Sequence, residues 1–302
     1  MKRIFYLVCL IVLVCMLASC VKIDMPDPVP QTVYASFYPI YALAEGICRD
    51  IPNLTLYCLA QPQDSCIRSY ALSDWDAALL SGADLFILGG RGLESFEAAC
   101  SGGDMAVLTA MDNMVLLGAE EEVTDESNHF DGPNPWLFLS VEGARNICSV
   151  IAAGMAELDP DFADVYANNL AAMQEQFDSL QAEIAALLSG TELPGAILMQ
   201  EGLPYFAQTV GLNEYIEIER EAGEDMGDNE FREALAQMQE SGYALVLIEQ
   251  QAPQGLVQTL EDAGFAVCRI DILTNHSAKD SHTAYFSAML GNVQALLDAL
   301  RG

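Results

Sequence analysis

The sequence predicts an α/β fold of two lobes, each a mainly parallel sheet flanked by helices, joined by one long rigid helix. Three observations carry that prediction. Short apolar runs of strand type alternate with runs of helical period on both sides of the middle of the chain. The middle itself runs from Asp159-Pro160 to Ser189-Gly190. It sets Phe162, Tyr166, Leu170, Met173, Phe177, Leu180, Ile184 and Leu187 in alternating steps of four and three, one stripe on one helix face. Asp159 suits the cap, Pro160 the first helical position and Gly190 the stop. Such a helix is roughly 40–45 Å long, the size of a small domain. The stripe lasts only about four heptads, which argues for a spine between lobes and not for a coiled coil. Finally, about 280 residues remain after an N-terminal leader, enough for two domains.

Taken in order, Met1-Lys2-Arg3 is a short positive start and Ile4 to Leu17 is apolar and uncharged. Leu17-Ala18-Ser19-Cys20 resembles the bacterial lipoprotein signal, in which the cysteine becomes the lipidated first residue. Residues 1–20 are therefore read as a signal peptide with Cys20 lipidated. The apolar run is short for a membrane span, which needs about 20 residues. Residues 21–31, with three prolines, read as a tether. A first lobe follows over 32–158. Its strands are expected at Thr32–Phe37, Leu54–Leu59, Ala83–Leu88 and Ala106–Thr109, and its helices at Pro39–Arg49, Asp74–Ser81 and around Leu93–Cys100. Ser73 is placed to cap one helix, and Ser140 to cap another reaching about Glu157. The acidic stretch from Met111 to Gly132 reads as a loop. The connecting helix is expected over 159–190.

The second lobe, 191–302, repeats the rhythm. Strands are expected at Ala196–Met199, Tyr215–Glu219, Ala244–Ile248 and Ala266–Ile270. Helices are expected at Pro204–Val210, Asn229–Glu240, Gln254–Ala263 and His282–Leu300. Alternating strands and helices imply parallel sheets with right-handed crossovers. Ligands then sit at the carboxyl ends of strands, here the loops after Leu59, Met199 and Ile270, in a cleft between the lobes.

Removing residues 1–19, which hold Lys2 and Arg3 and no acid, takes the formal charge from −32 to −34. That excludes nucleic acid and anionic lipid headgroups as partners. The six cysteines after Cys20 are scattered, with no CxxC, which argues against a zinc knuckle. Outside the cytoplasm they could pair, whereas Cys148 and Cys268 read as buried thiols. No GxSxG, HExxH or Walker sequence is present, so an enzyme is not indicated. Gly89-Gly90-Arg91-Gly92 lacks the lysine of a phosphate loop and reads as a tight turn.

Several segments resemble the metal-binding substrate-binding proteins of ABC importers, the zinc/manganese (adhesin-like) lipoprotein family. VYASFYPIYALAEGI is similar to that family's opening, and GADLFILGGRGLESF to its ADLVxxxGxGLE stretch. Arg68 to Asp76 is similar to its His-x-Tyr-Glu-Pro-Thr-Pro-x-Asp segment, and Gly132 to Leu137 to its Asp-Pro-His-x-Trp-Leu. Gln200 to Ala207 resembles its His-x-Ala-Phe-x-Tyr-Phe-Ala, and Arg269-Ile270-Asp271 its Val-Leu-Asp. The resemblance implies a lipid-anchored captor on the outer face of the cytoplasmic membrane. It also implies an ABC permease and ATPase as partners, a metal ion or small solute held between the lobes, zinc or manganese as the family's ion, and a monomer.

The family's ligand positions, three histidines and a carboxylate, are matched here by Arg68, Asn134, Gln200 and Asp271. Only Asp271 is an ordinary ligand for a transition metal. Amide oxygens are hard and weak donors, and a guanidinium coordinates nothing. Two substitutes for the ion suggest themselves: an Arg68–Asp271 pair across the cleft backed by Asn134 and Gln200, or a small polar solute at the cationic hole. A third reading relocates the ligands to His129, Cys66, His276 or His282 beside Asp271. Glu249, ending an apolar strand, is either functional or a hinge acceptor, and Trp136 is expected in the core beside the cleft. The competing function is an envelope interaction or regulatory lipoprotein that kept the fold without transport.

Overall fold

The strands form where apolar, β-branched runs are short enough to be crossed in one layer. β1 (Gln31–Ala35), β2 (Leu54–Cys58), β3 (Leu85–Leu88) and β4 (Ala106–Thr109) make a parallel sheet of order β2-β1-β3-β4. β5 (Ala196–Leu198), β6 (Tyr215–Glu217), β7 (Leu245–Glu249) and β8 (Ala266–Ile270) make a second, of order β6-β5-β7-β8 and also parallel. The buried central strands are the apolar ones, LFIL in β3 and LVLIE in β7. In each sheet the order reverses between the first and third strands. Beyond their carboxyl ends lies the crevice in which such folds place ligands. The computed structural model describes residues 29–301 except 61, 63–66, 101–104, 120–132, 219, 221–222, 224–225, 278 and 280–281. The leader, Cys20, most of the tether, Cys66, His129, the centre of the acidic loop, Glu219 and Glu221 lie outside the described residues.

The helices cover both sheets. α1 (Tyr38–Cys48), α2 (Asp74–Leu80), α3 (Glu97–Cys100) and α4 (Val141–Leu158) belong to the first half. α6 (Leu203–Val210), α7 (Asp228–Ser241), α8 (Gln254–Asp262) and α9 (Thr283–Ala299) belong to the second, and α5 (Ala163–Leu187) lies between them. Ser73 and Asp76 form a reciprocal capping box at α2, and the Ser140 hydroxyl accepts the Gly143 N–H at α4. α5 buries Tyr166, Met173, Phe177, Leu180 and Ile184 of the expected stripe, while Leu187 is exposed. Its Asn169 is buried too and donates to the carbonyls of Ile47 and Arg49, satisfying the end of α1. α1 approaches so closely that a Cβ on Gly46 would lie 2.5 Å from the Met173 sulfur.

Three expectations are corrected. Asp159 does not cap the spine: Pro160–Phe162 form a 3-10 turn ahead of α5, and the Asp159 carboxylate accepts from the Asn53 side chain instead. The helix around Leu93 shrinks to α3 because Glu94 turns back onto the glycine turn. Its carboxylate accepts from Gly89 N–H, Gly90 N–H and the Ser36 hydroxyl, so the turn's N–H groups serve the chain's own anion. Burial of that carboxyl pushes its pKa up against those three bonds. Third, the pairing open to Cys48, Cys58 and Cys100 does not form: they are free thiols, as are Cys148 and Cys268 in keeping with their reading as buried thiols, and burial raises the pKa of each.

Gln31–Gly302 is one compact unit, and Met1–Pro30 is another, of which only Val29 and Pro30 are described. One apolar cluster runs through the first unit without a break. It takes in Val33 and Ile87 of the first sheet, Leu198 and Leu247 of the second, the α5 stripe, and Trp136, Phe138, Tyr205 and Tyr285 between them. No helix among the described residues is long and apolar enough to cross a membrane.

Candidate functional site between the two sheets

The loop after β2 carries Arg68, in a single 3-10 turn, Ile67–Ser69. The segment before α4 carries Asn134 and Trp136, and Asn134 bridges to Leu117 across the neck of the acidic loop. The turn after β5 carries Gln200 and Glu201. These three segments meet on Glu201. Its Oε1 accepts from Arg68 Nη2 at 2.5 Å and its Oε2 from Trp136 Nε1 at 2.8 Å, while its backbone carbonyl accepts from Asn134 Nδ2 at 2.5 Å. The ion pair is mostly dry, with side-chain exposures of 15% for Arg68 and 7% for Glu201. Trp136 is fully buried.

Tyr205, in the first turn of α6, completes the cluster. Its hydroxyl donates to the Asn134 carbonyl at 2.7 Å and accepts the Leu117 N–H at 2.9 Å. Burial pushes this phenol up to about 12. The Leu117 N–H opposes that shift, and the Glu201 charge adds to it, so it remains a donor at neutral pH. Gly202 is required here by space and not by φ: a Cβ would lie 2.6 Å from Leu139 Cδ1 and 2.8 Å from Trp136 Cβ.

Arg68 therefore pairs across the crevice with Glu201 and not with Asp271, which corrects the expected pairing. The reason is reach: Glu201 sits on the turn that Asn134 and Trp136 already hold, while Asp271 is engaged elsewhere. Asp271 Oδ1 accepts the Leu273 N–H at 2.8 Å, and its Oδ2 lies 2.8 Å from His276 Nε2. The His276 ring stacks on Tyr38 of α1, with centroids 5.0 Å apart. His282 also reaches α1, its N–H donating to Glu45 Oε2 at 2.5 Å.

Oxygens at the family positions are already in use. Asn134 Oδ1 accepts the Trp136 N–H at 3.0 Å and Gln200 Oε1 accepts the Gly202 N–H at 2.8 Å. Among the described residues, no three His, Cys, Asp or Glu side chains gather closely enough to hold an ion. Glu249 ends β7 fully buried and pairs with Arg220, and its Oε1 also accepts the Gly223 N–H at 2.7 Å.

Glu201 and Tyr205 were not among the residues singled out from sequence, and the role of the Trp136 indole was not foreseen. One signal was available for Glu201: an acid in the mainly apolar run from Leu198 to Phe206 must be paired if that run is buried.

The sequence profile described as ZnuA, "Zinc-uptake complex component A periplasmic", matches residues 33–299, nearly all of the described chain. The chain belongs to the ZnuA family. Among curated relatives, the zinc-binding lipoprotein AdcA of Streptococcus pneumoniae (strain R6) is 23% identical over 276 residues, covering 87% of this chain and 54% of AdcA. The chain thus spans about half the length of the curated relatives it matches. Solved structures share the ZnuA-type fold. The solute-binding protein FpvC of Pseudomonas aeruginosa, solved with Ni2+, superposes with a TM-score of 0.76 at 19% identity, covering 90% of this chain and 97% of FpvC. A ZnuA crystal structure gives 0.71 at 22% identity, with 89% and 99% covered. The Zn(II)-bound ZnuA-like domain of S. pneumoniae AdcA gives 0.72 at 20% identity, with 89% and 98% covered. These likenesses show two parallel four-stranded sheets with a long helix between them, as the sequence led one to expect.

Proposed function

We propose that this ZnuA-family chain is the extracytoplasmic solute-binding component of an ABC importer, working with a membrane permease and ATPase, in which the family's ion site has been altered. Cys20 is its lipid anchor to the outer face of the cytoplasmic membrane, and the crevice between the sheets is where the solute is captured. The observation that carries the altered site is the Arg68–Glu201 pair. A guanidinium stands where the family has a metal-binding imidazole, and a carboxylate from the other half of the molecule neutralises it. A dication brought within about 4 Å of the guanidinium would meet a repulsion on the order of 8 kcal/mol at an effective dielectric of about 20, before any offset from the Glu201 charge. It would also have to strip Asn134, Gln200 and Asp271 of their present hydrogen bonds.

The test is metal analysis of the purified protein followed by calorimetric titration with zinc and manganese. The expected result is no stoichiometric ion and no saturable heat. One equivalent of zinc, lost on Asp271→Ala, would restore the family's ordinary site and defeat the proposal. The same Arg68–Glu201 strut also favours a second reading, an envelope interaction protein in which the pair permanently occupies the crevice. Scattering curves of the purified chain that stay closed with every solute tried, together with unimpaired solute uptake in a deletion strain, would select that reading.

A further inference from the structure

Arg68 is incompletely used. Its Nη2 binds one oxygen of Glu201, while its Nε is buried and has no hydrogen-bond partner among the described residues. Nε and Nη2 lie on one edge of the guanidinium, the edge that receives both oxygens of a carboxylate side-on. Glu201 does not dock that way, because its second oxygen goes to Trp136 Nε1. Its backbone is fixed by the Asn134 side chain, which sets how far the carboxylate can swing. The result is a set of donors, Arg68 Nε, Arg68 Nη2 and Trp136 Nε1, that exceeds what the tethered glutamate uses.

We propose that Arg68 and the Trp136 indole form a carboxylate receptor, which the closed chain fills with its own Glu201. The group it takes when the crevice opens is then the carboxylate of a small organic acid. The proposal rests on the altered-site reading above and names its solute class. A carboxylate fits better than a phosphate on two grounds. The present occupant is a carboxylate whose two oxygens accept from Arg68 Nη2 and Trp136 Nε1, and a chain of net charge −32 disfavours a polyanion more than a monoanion. Glu201 also competes with any free carboxylate, since a tethered group acts at high effective concentration.

The experiment uses the full chain carrying Trp75→Phe, which leaves Trp136 as the remaining indole of two, and sodium acetate as the probe against sodium chloride at equal ionic strength. In Glu201→Ala the receptor is vacated. Acetate is expected to shift Trp136 emission and raise the melting midpoint saturably, and the double variant Arg68→Met/Glu201→Ala should bind acetate at least ~10-fold more weakly. Glu201→Gln keeps the shape of the occupant and removes its charge. Acetate should stabilise this variant too, while leaving the parent unmoved at the same concentration. No saturable response in a folded Glu201→Ala chain, or an equal response without Arg68, overturns the receptor. Failure of even Glu201→Gln to fold overturns it as well, since the glutamate would then be a structural strut and not a displaceable occupant. Zinc titration on the same parent preparation separates the two claims: a bound zinc ion defeats the altered site, whereas an acetate-inert variant defeats the receptor alone.

Discussion

Arg68→Met is the sharpest probe of the crevice. Methionine keeps most of the length and apolar stem of arginine and removes the guanidinium. Glu201 is then left with a side chain 7% exposed and the Trp136 indole still donating to one oxygen. Exposed ion pairs contribute about 0–1 kcal/mol, whereas stranding one member of a buried pair costs about 3–5 kcal/mol. With Arg68 at 15% exposure the pair lies nearer the buried limit, but the crevice can part and readmit water, so the loss is set at about 2–3 kcal/mol. At ~2–4 °C per kcal/mol for a domain of this size, the midpoint should fall by roughly 5–10 °C. Glu201→Gln should cost less, about 1 kcal/mol, because the arginine left behind can turn toward solvent. The double variant should then fall short of the sum of the singles by more than ~1 kcal/mol, as expected for groups in contact. Thermal and urea unfolding of the four proteins measure this, with small-angle scattering to detect opening. A shift below ~1 °C for Arg68→Met, or strict additivity, would show that the pair is ornamental and remove the support for an ionic clamp.

Returning imidazoles to the family positions, as Arg68→His/Asn134→His/Gln200→His, should create zinc binding measurable by calorimetry. A triple variant still blind to zinc would mean that these loops do not converge with Asp271. Asp76 gives a pH signature. Burial pushes its carboxyl pKa up, but the Ser73 N–H and hydroxyl and the Tyr70 hydroxyl outweigh that and hold it below the ordinary value. The contribution is thus present above the unfolded pKa of about 3.9 and lost as pH falls through the folded one. Asp76→Asn should cost ~1 kcal/mol at pH 7 and progressively less below about pH 4, read by urea unfolding at both. Gly202→Ala should cost ~1–3 kcal/mol and shift Trp136 emission, since the new methyl meets Trp136 and Leu139. Gly46→Ala should cost less, because it meets the flexible end of Met173.

Most elements were legible because their signals are local. Ser73 and Ser140 sit where a cap must be, and both hydroxyls do cap. The spine's four-and-three spacing became its buried face from Tyr166 to Ile184. Asp159 misled because the same residue type serves equally as a cap and as a buried acceptor, and only a distant loop, the one ahead of β2 that carries Asn53, decides between them. The crevice was legible at the level of loops and not of partners. The family's pattern pointed to Arg68, Asn134, Gln200 and Asp271; the first two meet on Glu201, while the Gln200 side chain turns to its own Gly202 N–H. Which acid answers Arg68 depends on a one-residue step from Gln200 to Glu201, across more than a hundred residues of intervening chain. Spacing carries no information at that range. The Arg220–Glu249 pair escaped notice for the same reason, although Glu249 at the end of a wholly apolar strand demanded some partner.

Asn292 stands in for a missing strand. β8 is an edge of its sheet, and just beyond its end the Asn292 side chain gives Asp271 both bonds a neighbouring strand would supply, accepting its N–H at 2.7 Å and donating to its C=O at 2.9 Å. The final helix is thereby latched to the segment that stacks His276 on Tyr38. A slide or loss of that helix would release both bonds at once, so damage near the carboxyl terminus should be felt at the start of α1, on the far side of the crevice.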